Sequence, residues 1–140
     1  MGRLALAAVA LALLAAACGA RTEGSAGPRA SGALGVVTGA DARRIVEGLC
    51  RLLGPAGADR EEANAAFYDL AHDGLHRLAA AAQPVDPGAA GALLVAKERV
   101  EEDLGREELP PTLGRDAEAL LAATREALRV VGLPAPDCPA

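Results

Sequence analysis

The sequence predicts an all-α fold, an up-and-down four-helix bundle set behind a signal peptide and a flexible tether. Three observations carry that expectation. Hydrophobic residues make up 51% of the 140, yet aromatics are 1%, with one Phe, one Tyr and no Trp. A core must therefore be assembled from Ala and Leu, which, with the abundant Arg and Glu, favour helix over sheet by intrinsic propensity. Apolar residues also recur at three- and four-residue spacing in four separate runs, bounded by turn residues.

The stretch Gly19 to Val37 is rich in glycine and has no apolar periodicity, which reads as a linker. At Thr38-Gly39-Ala40-Asp41 a hydroxyl residue is followed three places on by an acid, a near capping box opening the first helix. Its stripe is Ala42, Ile45, Val46, Leu49, Leu52 and Leu53, stopped by Gly54-Pro55. Asp59 with Glu62 opens the second helix, whose stripe is Phe67, Leu70, Ala71, Gly74, Leu75, Leu78 and Ala82 before Gln83-Pro84. Asp86-Pro87 supplies a cap and a proline at the first helical position of the third. That helix buries Ala89, Leu93, Ala96, Val100 and Leu104 and ends at Gly105. The fourth carries Leu113, Ala117, Leu120, Leu121, Thr124, Leu128 and Val131, ended by Gly132-Leu133-Pro134. Singly, none of these helices can bury its stripe, so antiparallel packing is expected, with an extended tail from Pro134.

The N-terminus has a different character. Arg3 precedes an unbroken apolar run from Leu4 to Ala17, shorter than the ~20 residues that span a bilayer. This order fits a secretory signal. The segment Leu14-Ala15-Ala16-Ala17-Cys18 resembles the lipobox of bacterial lipoproteins, with Ala15 where that family usually has Leu. The resemblance implies cleavage before Cys18 and diacylation of its thiol, so that the chain sits on the outer, extracytoplasmic face of the cell membrane. Ordinary secretion, with Cys18 incidental, is the alternative. The expected organisation is 1–17 signal peptide, 18–37 anchor cysteine and flexible linker, and 38–140 helical domain. In that compartment disulfides persist, and Cys50 and Cys138 are the two remaining cysteines. A bond between them is the natural pairing; two separate buried thiols are the other reading.

Composition excludes several functions. A formal net charge of -5 repels phosphate, and a near absence of aromatics removes stacking platforms, so nucleic acid is not an expected partner. After Thr38 there is no serine, and no glycine-rich phosphate loop occurs. The one constellation with chemical content is Asp69, His72, Asp73 and His76. At helical pitch His72 and His76 share a face with Asp69 beside them, a pattern suited to Zn²⁺ or Cu²⁺. That face is expected to point away from the Phe67 to Leu78 stripe, into solvent. His72-Asp73-Gly74-Leu75-His76 also resembles the zincin metalloprotease motif, with Asp in place of the catalytic Glu. Glu98 and Glu102 resemble the acids that supply a third ligand in some of those enzymes, but both lie opposite their own helix's stripe. No substrate-binding sheet precedes the motif, so the expectation is a non-enzymatic protein without cofactor. The sequence reading is thus a lipid-anchored accessory protein of the cell envelope that meets an envelope protein partner. Its alternative is an envelope metal-binding module using His72, His76 and Asp69.

Overall fold

The computed structural model describes residues 27–139. The expected signal segment 1–17 and the lipidation of Cys18 lie outside the described residues. The four amphipathic runs form four helical rods: α1 (Gly39–Leu53), a composite second rod, α4 (Pro87–Leu104) and α5 (Leu113–Val130). The composite rod runs from α2 (Arg60–Asn64) through a π-helical segment (Ala65–His72) into α3 (Asp73–Ala82). Each rod packs on its neighbour in sequence, and α5 returns to α1, closing an all-α bundle around one apolar core. Among the described residues, no helix is long and apolar enough to cross a membrane.

Local chemistry explains the boundaries. Thr38 Oγ1 accepts from the Asp41 amide at 3.2 Å while Asp41 Oδ2 accepts from the Thr38 amide at 2.8 Å, completing the capping box. Asp59 accepts from the Glu62 amide and Asp86 from the Ala89 amide, each at 3.0 Å. A short 3₁₀ turn, Pro55–Ala58, joins the first two rods. At the end of α5, Gly132 has φ +74°. Its amide donates to the Arg129 carbonyl and the Leu133 amide to that of Leu128, a Schellman closure that folds Leu133 back onto the core.

The expected linker 18–37 is corrected over its last part. Residues Arg29–Gly32 (β1) and Gly35–Thr38 (β2) pair antiparallel, with Ala30 opposite Val37 and Gly32 opposite Gly35. Val37 is fully buried. Gly32, within the stretch that reads as a tether, has a packing role. A Cβ on Gly32 would stand 2.5 Å from the carbonyl carbon of Ala80 and the amide nitrogen of Ala81, so only glycine lets the hairpin lie against the α3 backbone. Gly35, at φ +106°, supplies the left-handed residue after the turn.

From Pro134 to Pro139 the tail has no regular structure. It crosses back to α1, where Cys138 is disulfide-bonded to Cys50, with Cα atoms 5.6 Å apart and a sequence separation of 88. That spacing lies within the usual range for a disulfide. Of the two readings open in the sequence, the paired one holds.

Candidate metal centre

The π-helical segment decides where the histidines point. Continued at α-helical pitch from the buried Phe67, His72 would lie about 140° away and face solvent. In a π turn the backbone bonds run from i to i+5, so residues five apart come nearly into line. His72 is brought beside Phe67, ring centroids 5.8 Å apart and edge to face. The expected outward orientation is therefore corrected: His72 and His76 are half-buried and turned toward α4.

What they meet there is Glu101. His72 Nε2 lies 3.0 Å from Glu101 Oε1, and His72 Nδ1 lies 3.1 Å from Asp73 Oδ1. Which ring nitrogen donates in each contact depends on the tautomer. The His72 and His76 rings stand edge to face with centroids 4.8 Å apart. Glu101 Oε2 is 2.7 Å from the ammonium of Lys97, one turn earlier on α4, whose residue is only 5% exposed. Tyr68 leans on His72 at 5.4 Å between centroids.

The electrostatics follow from this grouping. Burial pushes the His76 pKa down, and the Lys97 and His72 charges push the same way, so the neutral ring is favoured. Burial acts upward on Glu101, but the hydrogen bonds and charges of Lys97 and His72 outweigh it and hold the carboxyl below its ordinary range. Burial and the Glu101 charge raise the Tyr68 phenol. A neutral imidazole and an ionised carboxylate are the forms that ligate metals.

One ligand atom from each of His72, His76 and Glu101 lies within 4.8 Å of the other two. Donors around a tetrahedral ion bonded at ~2.0–2.1 Å stand about 3.3 Å apart. The His72–Glu101 separation is near that value, and a small side-chain adjustment closes the remainder. Two imidazoles and one carboxylate suit Zn²⁺ or Cu²⁺ and leave a fourth position open.

The ligand set read from the sequence is thus corrected at one member. His72 and His76 come together, but Asp69 is exposed and lines a separate polar cleft with Asp41, Arg44 and Arg77. Its backbone carbonyl accepts from Arg44 at 2.8 Å. Glu101 takes the place assigned to it. Glu98 and Glu102 are exposed, as their spacing implied. Neither Glu101 nor Lys97 is among the residues that the sequence singles out. The available signal was a lone lysine, in a chain that otherwise uses arginine, one helical turn before an acid and next to the buried Ala96 and Val100. No protein family, no curated protein and no solved structure matches this chain.

Proposed function

We propose that this chain is a lipid-anchored accessory protein of the bacterial cell envelope, non-enzymatic, whose working part is a divalent transition-metal site formed by His72, His76 and Glu101. The observation that carries the metal reading is the convergence of these ligand atoms from two different helices in a half-buried seam. Helical bundles build metal sites in this way, from side chains on facing helices. Support for the location comes from the apolar run ending at Cys18 and from the Cys50–Cys138 disulfide, which belongs to an oxidising compartment.

Isothermal calorimetry on the full mature protein in detergent tests the site. Zn²⁺ or Cu²⁺ should bind at a stoichiometry of one, and His72→Ala, His76→Ala or Glu101→Gln should each weaken it by at least about a hundredfold, since even the partners behind metal ligands are worth 10- to 100-fold. Equal heats in wild type and all three variants would remove the metal reading. Mass spectrometry of the membrane fraction should find diacylglyceryl on Cys18, and an unmodified N-terminus starting elsewhere would remove the anchor.

A further inference from the structure

Lys97 is the only lysine in the chain and is almost wholly buried. A buried ammonium is tolerated only when paired. Its partner is Glu101 Oε2 at 2.7 Å, on the carboxylate whose other oxygen meets His72 Nε2 at 3.0 Å. The lysine thus supplies positive charge to the one anionic ligand of the cluster. Resting on the metal reading above, we infer that Lys97 is a stand-in cation, which a divalent transition metal displaces from Glu101 as it binds.

Two features support displacement over sharing. An ammonium and a doubly charged ion on one half-buried carboxylate, with little water to screen them, repel strongly. The lysine also has somewhere to go. Leu94, three residues before it on α4, is 41% exposed and lines an apolar groove of about 500 Å³ with Leu34, His76, Ala80 and Gln83. Along such a wall the four-carbon stem of a lysine lies flat while its ammonium reaches water. A single substitution of contacts then moves the charge: Glu101 exchanges the ammonium for the metal, and the ammonium exchanges Glu101 for solvent. The device also discriminates. Ions that bind imidazole well gain enough from His72 and His76 to evict Lys97, whereas Mg²⁺ and Ca²⁺, which prefer oxygen ligands, do not.

Because the chain has one lysine, amine acylation reports on this residue alone among its side chains. Full mature protein in detergent is treated with a water-soluble acetylating ester, and modification of the Lys97 peptide is followed by mass spectrometry. Labelling should be slow in metal-free protein, rise at least about tenfold with saturating Zn²⁺ or Cu²⁺, and stay slow with Mg²⁺. In calorimetry, Lys97→Met should bind Zn²⁺ about tenfold or more tightly than wild type. Stoichiometric Zn²⁺ binding with Lys97 labelling unchanged or decreased would overturn displacement while leaving the metal site standing. Failure of wild type to bind either transition metal would overturn both. The labelling measurement uses wild-type protein, so it decides the matter even if Lys97→Met does not fold.

Discussion

Helices α1 and α4 bury surfaces that differ in polar content. On α1 every buried residue is apolar or glycine: Ala42, Ile45, Val46, Gly48, Leu49 and Leu52. On α4 the buried set includes Lys97 and Asp103 beside Leu93, Val100 and Leu104. The first surface is fastened from outside by a covalent bond at Cys50. The second joins polar contacts to its apolar packing, Lys97 to Glu101 at 2.7 Å and Thr112 Oγ1 to Asp103 Oδ2 at 3.0 Å. Buried charge is poor material for stability, since desolvation offsets much of what pairing returns. The α1 side thus rests on apolar packing and a covalent bond, while α4 adds a rearrangeable polar cluster to its apolar packing.

If that division holds, the largest effect on stability should come from α1. Cys138→Ala opens a loop spanning 88 residues, and the chain-entropy model assigns such a closure about 4 to 5 kcal/mol. Thermal melts should show a large fall in Tm. Metal affinity, set in the other seam, should stay within about twofold. A variant that loses metal binding while still folded would break the comparison.

Phe67, on the π-helical segment, sharpens it, because this residue touches both the apolar core and the polar cluster. It is fully buried in the core and also places its ring edge to face with His72 at 5.8 Å. Phe67→Ala should cost about 3 to 5 kcal/mol in urea unfolding. It should also weaken Zn²⁺ binding, since the His72 ring loses its backing. Leu49→Ala, a comparable truncation on α1, should lower stability and leave metal affinity unchanged. Equal effects of the two on metal binding would dissolve the distinction.

The two regions also differ in how much of them the sequence displayed. The cap at Thr38 and Asp41, the stripe from Ala42 to Leu52 and the stop at Gly54 are local signals, and each element of α1 follows from them. The pairing of Cys50 with Cys138 is the expected one of two readings, resting on the expectation that Cys18 carries lipid. On the other side, the π-helical turn leaves no mark in a 3.6-residue pattern, so Asp69 was placed beside the histidines and Glu101 was not. Lys97 and Glu101 stand four apart, a spacing that on most helices marks a solvated ion pair. Tertiary packing buries it, with His72 at the end of the π-helical segment meeting Glu101 and α3 packed on α4. The hairpin was hidden for a related reason: its strands are four residues each and their support is α3, far away in sequence.

That support is open to a direct test. Gly32→Ala puts a methyl group 2.5 Å from backbone atoms of Ala80 and Ala81, and the helix backbone cannot give way. The hairpin must lift, at a cost of about 1 to 3 kcal/mol typical of overpacking. Hydrogen exchange should show faster amides in 29–38 and little change in α1 or α5. Unchanged protection of the hairpin would mean that its strands are held by pairing alone.

The smallest effect belongs to the cap of α1, and it has a pH signature. Thr38 Oγ1 donates to Asp41 Oδ2 at 2.7 Å, and Arg77 Nη2 donates to Asp41 Oδ1 at 2.9 Å. The hydrogen bond from Thr38 is the main cause holding the Asp41 pKa below its ordinary value, with Arg77 adding to it against the opposing effect of burial. A carboxyl depressed on folding contributes stability that is fully present above the unfolded-state value of about 3.9 and is lost as pH falls through the folded-state value. Thr38→Ala removes the hydroxyl and should cost about 1 kcal/mol at pH 7, as cap deletions do. Below pH 4 the wild type loses the Asp41 contribution by protonation, while the variant has less of it to lose. The other carboxylates titrate alike in both proteins and cancel in the difference. The gap between wild type and Thr38→Ala in urea midpoints should therefore narrow between pH 5 and pH 2. A gap of constant size across that range would show that the threonine hydroxyl acts only by accepting from the Asp41 amide, its own hydrogen bond to the Asp41 carboxylate contributing nothing.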